Sequence, residues 1–172
     1  MLIFRKTFCL LLIALAATFI SWKSSDEPAK LSGIEWLNFE NAHAKTIKEK
    51  KLMMVDVYTD WCKWCKVMDE QTFSHPDIVK FAQKNMVMAK MNAESDAKVR
   101  FKDKEYTQRQ LAMGLGVTGY PTVVFFDDKG EMITSVSGFI TADKFLPILE
   151  YLHGRHYDKK VSFEDFLAQR KK

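Results

Sequence analysis

The most constraining feature of this sequence is a dense apolar run that leads directly into two closely spaced cysteines. The run, KLMMVDVYTD (51–60), has the length of a strand, and its apolar residues do not alternate with polar ones. This pattern predicts a central strand covered on both faces. Cys62 and Cys65 follow in WCKWC (61–65), and we expect a helix to begin at the first cysteine. The pair is therefore predicted to lie where a buried strand ends and a helix begins.

Four roles compete for such a cysteine pair: a structural disulfide, half of a zinc site, a haem attachment point and a redox-active dithiol. Haem attachment requires a histidine directly after the second cysteine, and that position is Lys66. A disulfide across a two-residue gap removes little entropy from the unfolded chain, which argues against a purely structural role. Zinc needs two further ligands, and the candidates lack finger spacing; they are His43, His75, His153 and His156. We therefore predict no metal site and favour the redox-active dithiol.

The predicted position of the two cysteines gives them different chemistry. At the start of a helix, Cys62 would meet unpaired backbone N–H groups and the positive end of the helix dipole, which stabilise a thiolate. Cys65 is on the same face and one turn deeper, close enough to attack a disulfide formed at Cys62. We expect an exposed nucleophile and a sheltered resolving thiol, which is what exchange through a mixed disulfide requires.

Two acidic residues near the cysteines are candidates for proton transfer. Asp56 interrupts the apolar run six positions before Cys62, where an ionised carboxylate is costly to bury. It is predicted either to be a partly buried acid with a raised pKa that exchanges a proton with Cys65, or to reach water from its strand end. Asp69 lies four positions after Cys65, on the same helical face, and is either a second such carboxylate or a solvated one.

The rest of the chain predicts an α/β fold with a mixed sheet. Further strands are predicted at MVMAKMN (86–92) and on both sides of a turn at residues 128–130, which makes that last pair antiparallel. Helices are predicted over 35–50, from the cysteines toward Phe73, from Pro76, near 106–113, over 142–152 and after Ser162. Together these elements place helices on both faces of the sheet.

Two of the helices carry more detailed expectations. In the segment 35–50, apolar residues recur at helical intervals with charges between them; they are Trp36, Phe39, Ala42 (or His43) and Ile47. In the segment 142–152, Pro147 predicts a kink or a late start, because proline cannot donate the backbone hydrogen bond of a helix interior.

The first 25 residues have the order of a secretory signal. Arg5 and Lys6 precede an apolar run of about 13 residues, shorter than the roughly 20 that a membrane-spanning helix needs. No clean small-residue cleavage site ends the run. We therefore predict a signal peptide or an uncleaved N-terminal anchor over 1–25 and a single domain over 26–172.

Export and charge restrict the function further. Compartments beyond the membrane sustain disulfides that the cytosol reduces. Three of the 26 basic residues and none of the 22 acidic residues precede residue 26, so the formal net charge falls from +4 to +1 over 26–172. A nearly neutral surface gives no support for nucleic-acid binding, and we expect none.

Several stretches together resemble a known family. VDVYTDWCKWCK is similar to the active-site strand and helix of thioredoxin-fold proteins. Three stretches resemble the exported C-terminal domain of DsbD-type thiol:disulfide interchange reductases and its stand-alone relatives; they are DVYTDWCKWCKVMDEQTFSHPDI, GVTGYPTVVFFDDKGE and VSGFITADKF. The resemblance implies a thioredoxin fold over 26–172. Its core would cover about 50–153, followed by a C-terminal helical extension over 154–172.

The resemblance implies catalytic roles for five residues. Cys62 would be the attacking thiol and Cys65 the resolving thiol. Asp56 falls at the family's buried acid, and Asp69 falls at a second acidic position. Lys90, in MAKMN, matches the lysine that accompanies the buried acid in thioredoxins.

The resemblance also implies where a substrate binds. Pro121 matches the family's cis-proline beside the cysteines, and Tyr120 should offer backbone groups to a substrate strand. Trp61 and Trp64 are candidates for a hydrophobic docking rim, and Trp64, just inside the helix, is the better candidate. Lys63 and Trp64 replace the Gly-Pro of thioredoxin, and this pair tunes the relative stability of dithiol and disulfide. The direction of electron flow therefore stays open.

We expect an exported thiol–disulfide oxidoreductase that reduces protein disulfides through a Cys62–Cys65 cycle and needs no cofactor beyond that pair. Its expected partners are disulfide-containing exported proteins and a membrane-bound electron donor of the DsbD type. We expect a monomer in a bacterial periplasm, either free or tethered by an uncleaved N-terminal segment. Two alternatives stay open: an oxidase or isomerase with the same cysteines, and a non-catalytic binding or chaperone module.

Overall fold

A computed structural model of the chain describes residues 33–170. The predicted signal peptide or anchor over 1–25 and the domain boundary at residue 26 lie outside this range. Within it, no helix is both long enough and apolar enough to span a membrane.

The strands and helices alternate along the first half of the chain as predicted. The strands are β1 (Leu52–Tyr58), β2 (Met86–Asn92), β3 (Lys98–Phe101), β4 (Lys104–Thr107), β5 (Thr122–Phe126) and β6 (Met132–Ser137). The helices are α1 (Phe39–Glu49), α2 (Lys63–Met68), α3 (Pro76–Asn85), α4 (Gln108–Gly114), α5 (Ala142–His153) and α6 (Phe163–Arg170). A π-helical segment (Asp69–Phe73) continues α2.

The main sheet has four strands in the spatial order β2-β1-β5-β6. β1 is parallel to β2 and antiparallel to β5, and β5 pairs antiparallel with β6. The prediction of a mixed sheet with a central β1 and a final antiparallel hairpin is therefore confirmed. The fold is a thioredoxin fold with an added C-terminal helix, α6.

Side chains of β1 alternate between two apolar clusters, one on each face of the sheet. Met53, Val55 and Val57 belong to the cluster that contains residues of α1 and α4. Leu52 and Met54 belong to the cluster that contains residues of α2, the π-helical segment, α3 and α5. Because successive strand residues point to opposite faces, Asp56 faces the second cluster, the side on which the cysteine helix packs.

The start of α1 differs from the prediction. The helix begins at Phe39, because the side chain of Asn38 accepts the backbone N–H of Asn41 at 2.9 Å and caps it. Leu37 precedes the helix and forms a parallel bridge with Ala89 of β2. Of the apolar residues at helical intervals, Phe39 and Ala42 are buried, whereas Ile47 is 46% exposed and its neighbour Thr46 is buried.

Residues 93–107 contain a feature that the sequence did not predict. β3 and β4 form a small antiparallel hairpin, whose turn residues Lys102 and Asp103 have positive φ angles of 49° and 61°. The predicted helix near 106–113 begins after it, at Gln108, and Thr107 and Gln110 form a capping box. The hairpin therefore shortens the helical part of this segment.

The C-terminal helices agree with most of the sequence pattern. α5 begins at Ala142 and contains Pro147, so the alternative of a late start is wrong. α6 follows Ser162 as predicted, and the hydroxyl of Ser162 accepts the backbone N–H of Asp165 at 3.0 Å. α6 packs through Phe163 and Phe166 against Tyr151 of α5.

Candidate active site

The two cysteines form a disulfide at the start of α2. Cys62 is the N-cap residue of the helix, and its Sγ accepts the backbone N–H of Cys65 at 3.0 Å. The backbone N–H of Cys62 itself donates to Thr59 O at 3.1 Å, which fixes the turn between β1 and the helix. A hydrogen bond to sulfur in this position stabilises negative charge on Cys62 once the disulfide is reduced.

Exposure does not distinguish the two cysteines in the disulfide. Each is 4% exposed, so the expected contrast between an exposed nucleophile and a sheltered resolving thiol is absent from this oxidised state. The cause is the capping geometry, which turns Cys62 Sγ inward over the first turn of the helix. The hydrogen bond from Cys65 N–H, rather than exposure, is the asymmetry between the two sulfurs.

Asp56 is buried on the same side of the sheet as the cysteine helix. Its side chain is 1% exposed, so the alternative of a carboxylate that reaches water is wrong. Neither carboxylate oxygen has a hydrogen-bond partner among residues 33–170. Burial raises the pKa of Asp56 to about 6; the Lys90 ammonium lowers this pKa, and the Asp69 carboxylate raises it. A carboxyl group with such a pKa can take or give a proton near neutral pH.

Lys90 lies between the two acidic candidates. It is the register partner of Asp56 on the adjacent parallel strand, so both side chains point to the same face of the sheet. Lys90 Nζ is 3.4 Å from Asp56 Oδ2 and 2.5 Å from Asp69 Oδ1. The structure therefore brings together three residues that the sequence named separately, in one charged cluster on the face of the sheet where α2 packs.

Trp61 stands before the disulfide and is fixed by two contacts. Its indole N–H donates to Glu94 Oε2 at 2.9 Å, and its ring meets Tyr120 edge-on with centroids 5.9 Å apart. The side chain is nevertheless 65% exposed. A large exposed ring held in one orientation is suited to contact another protein.

Trp64, between the two cysteines in sequence, borders an apolar groove. Its ring lies 5.4 Å from that of Phe139, and both line the groove with Tyr120, Pro121 and Gly138. Trp64 is 57% exposed, slightly less than Trp61, so the expectation that Trp64 is the better rim candidate finds no support in exposure. Both tryptophans present an apolar surface beside the cysteines.

The peptide bond between Tyr120 and Pro121 is cis, as the resemblance implied. The carbonyl of Pro121 accepts the backbone N–H of Gly138 at 2.8 Å. Gly138 has a φ of 92°, a conformation that side-chain-bearing residues rarely adopt, so a glycine is needed where β6 ends beside this loop. The loop thus forms the floor of the groove that Trp64 borders.

Three contact residues of the site were missed from the sequence. Glu94 orients Trp61, Phe139 extends the groove beside Trp64, and Trp36 covers Lys90. Glu94 comes two positions after a predicted strand, and Phe139 lies in the stretch VSGFITADKF, so their positions carried a weak signal. Trp36 was instead assigned to an apolar helical face.

The described part of the chain contains no group of three or more His, Cys, Asp and Glu side chains that could hold a metal ion.

This fold, with a disulfide between cysteines at the start of the helix that follows β1, defines a thiol–disulfide interchange domain of the thioredoxin type. Comparison with known families agrees with that class. The thioredoxin-like domain family matches residues 39–153, and the chain belongs to this family.

Two curated relatives of this chain carry the same name. The thiol:disulfide interchange protein DsbD of Haemophilus ducreyi is 34% identical over 113 residues, which cover 62% of this chain and 18% of that protein. The protein of the same name from Haemophilus influenzae is 30% identical over 137 residues, which cover 76% of this chain and 22% of that protein. The chain thus spans roughly a fifth of the length of these curated relatives.

A solved structure adds a direct fold comparison. The C-terminal domain of DsbD from Neisseria meningitidis, in the reduced form, is 26% identical with a TM-score of 0.50. The match covers 64% of this chain and 90% of that domain. The likeness is therefore to one domain of the longer proteins.

Proposed function

We propose that this protein is an exported thiol–disulfide oxidoreductase that reduces disulfides of other exported proteins in a bacterial periplasm. The observation that carries the proposal is the Cys62–Cys65 disulfide at a helix start, with a buried carboxyl group of pKa about 6 at Asp56 on the same side of the sheet. Similarity to DsbD, a thiol:disulfide interchange protein, and to its C-terminal domain supports thiol–disulfide exchange as the chemistry. The apolar start of the chain supports export.

The first half-reaction begins from the reduced protein. The Cys62 thiolate, stabilised by the N–H of Cys65, attacks one sulfur of a substrate disulfide. A bond forms between Cys62 Sγ and that sulfur, the substrate S–S bond breaks, and the departing substrate thiolate takes a proton from water. The groove beside Trp64 and Pro121 holds the substrate segment during this step.

The second half-reaction releases the substrate. Asp56 accepts the proton of the Cys65 thiol, and the resulting thiolate attacks Cys62 Sγ. The Cys62–Cys65 disulfide forms, the mixed disulfide breaks, and the second substrate thiolate leaves and is protonated. Two electrons have then passed from the protein to the substrate, and a membrane-bound dithiol donor of the DsbD type restores the reduced state.

The reduction potential of the Cys62–Cys65 couple tests the direction of electron flow. The protein is equilibrated with dithiothreitol buffers of known poise, and the fraction of disulfide is measured. We expect a value close to the roughly −270 mV of thioredoxin. A value near the roughly −120 mV of a strong disulfide donor would overturn the reductase and favour the oxidase alternative.

Export is tested separately from chemistry. The full chain and a variant lacking residues 1–25 are expressed in a Gram-negative host, and periplasmic and cytoplasmic fractions are compared. We expect the full chain in the periplasmic or membrane fraction and the shortened chain in the cytoplasm. Equal distribution of both would contradict export.

A further inference from the structure

The ammonium group of Lys90 lies close to four side chains. Carboxylates of Asp56 and Asp69 lie at 3.4 and 2.5 Å, and aromatic rings lie on the other sides. The centroid of the Trp36 ring is 4.9 Å from Lys90 Nζ, and that of Tyr58 is 5.4 Å away. Both distances are within the range of a cation–π interaction. The position of this cation is therefore set by two charges and two ring faces.

Trp36 is anchored independently of the Lys90 side chain. Its neighbour Leu37 makes two backbone hydrogen bonds to β2, donating to Met88 O and accepting the backbone N–H of Lys90, each at 3.0 Å. The indole ring also meets Phe73 edge-on, with centroids 5.2 Å apart. The backbone bridge and the ring contact hold the indole over the lysine from outside the four-stranded sheet.

Without such a cover, the lysine has an alternative position. Trp36, Asp69 and Lys90 line a solvent-accessible groove together with Ser74 and Pro76, and the lysine side chain is 25% exposed. An ammonium group released into this groove would stay near Asp69, which is 42% exposed, and would leave Asp56, which is buried. The desolvated carboxylate would then lose its neighbouring cation.

We propose that Trp36 is the positioning residue that holds the Lys90 ammonium against Asp56. The role deepens the proposed function, because the protonation of Asp56 governs the second half-reaction. The charged groups that face Asp56 are Lys90 from β2 and Asp69 from the π-helical segment. If the ammonium group moves away, burial and the Asp69 carboxylate are the main influences left on the pKa of Asp56, and both raise it. Loss of Trp36 therefore extends the pH range over which Asp56 carries a proton.

The test follows the titration of Asp56 in the oxidised protein by carbon NMR of its side-chain carboxyl. In this state the cysteines do not titrate, so the measurement is independent of any reductase activity. We expect Trp36→Leu to raise the midpoint by up to about one pH unit, and Trp36→Phe, which keeps a ring face, to raise it less. Phe81→Leu is the matched control, since it removes an aromatic ring from the same apolar cluster. The described ring contact of Phe81 is with His153.

An unchanged midpoint in folded Trp36→Leu, or an equal rise in Phe81→Leu, would overturn the positioning role. If Trp36→Leu does not fold, the wild-type protein decides: the Lys90 ε-methylene protons must show an upfield ring-current shift, and its absence contradicts the contact. A changed midpoint in a protein that does not reduce disulfides would retain the role of Trp36 and reject the proposed function instead.

Discussion

Asp56 and Lys90 are register partners on β1 and β2, and their carboxylate and ammonium groups lie 3.4 Å apart. The ion pair only partly offsets the cost of burying the carboxylate, because burial is the largest influence on Asp56 and raises its pKa to about 6. Asp56 can therefore exchange a proton near neutral pH on the face of the sheet where the cysteine helix packs.

The raised pKa of Asp56 predicts a pH-dependent stability. The folded protein holds a proton on Asp56 up to about pH 6, whereas the unfolded chain releases it at about pH 4. The wild-type free energy of unfolding therefore falls as pH rises through this window, and Asp56→Asn lacks this loss. We expect the difference, variant minus wild type, to grow by up to about 3 kcal/mol between pH 4 and 7.5.

Urea unfolding of the oxidised proteins at several pH values measures this difference. Asp96→Asn is the control, because its carboxylate is 80% exposed and is not among the charged groups that face Asp56. A difference that is constant with pH would contradict the raised pKa of Asp56.

Asp56 also predicts the kinetics of release from the mixed disulfide. If its carboxylate accepts the Cys65 proton, release in the wild type should accelerate as pH rises through about 6. Asp56→Asn should form the mixed disulfide normally but release it at least about tenfold more slowly, since a general base contributes a factor of this size or more. Quenched-flow trapping with a model disulfide peptide measures both steps, and unchanged release would sink the assignment.

The two cysteines are predicted to fail in different ways. Cys62→Ser should abolish insulin disulfide reduction, because no attacking thiolate remains. Cys65→Ser should still attack but should accumulate a covalent adduct with the substrate, because the resolving thiol is missing. Non-reducing electrophoresis after mixing with oxidised insulin separates the outcomes. Covalent capture by Cys62→Ser would reverse the assigned roles, and equally strong non-covalent capture by both variants would favour a binding module.

The groove beside Trp64 predicts selectivity for polypeptides. Trp64→Ala removes the side chain that packs on Phe139, so it should raise KM for a protein disulfide several-fold. It should leave reduction of a small aromatic disulfide nearly unchanged, because such a substrate cannot fill the groove. Ile47→Ala, an exposed apolar side chain of α1 outside the groove lining, is the control. Equal effects on both substrates would argue against a docking role.

The unpredicted hairpin carries a stability prediction. Phe101 of β3 packs edge-on against Phe39 and Phe126, with ring centroids 5.4 and 6.0 Å apart. Because the ring is only partly buried, Phe101→Ala should cost about 2 kcal/mol of unfolding free energy, less than a fully buried phenylalanine. Lys104→Ala, in the same hairpin and exposed, should change stability by less than about 0.5 kcal/mol. Equal midpoints in urea would show that the hairpin is not part of the cooperative unit.

The strand and the helix that position the cysteines could be predicted from the sequence, because their signals are strong and local. Seven residues from Leu52 to Tyr58 are apolar except for Asp56 and the last tyrosine, which is enough to place a central strand. The start of the cysteine helix was also predictable, because Cys62 itself occupies the N-cap position of α2. The family resemblance added Pro121, whose cis bond no spacing argument could have supplied.

Other features were hidden for physical reasons. A strand covered on both faces has no amphipathic pattern, so the side faced by Asp56 could not be read from its parity. β3 is short and mostly charged on its outer side, and only Val99 and Phe101 face inward, too few to indicate a strand. The orientation of Trp61 depends on Glu94, 33 positions away, a contact that only the folded chain creates.

The alternation of side chains along β1 has a consequence for how this gene can change in length. Inserting or deleting one residue between 52 and 55 would shift the strand by one position. The residues before the change would then point to the opposite face of the sheet, if Asp56 kept its own. Either the methionines and valines would enter the wrong clusters or the carboxyl group would turn away from Lys90. Homologous chains that keep both a folded core and a working acid should therefore vary in length elsewhere, such as in the turn at 102–103, and keep the spacing within β1 constant.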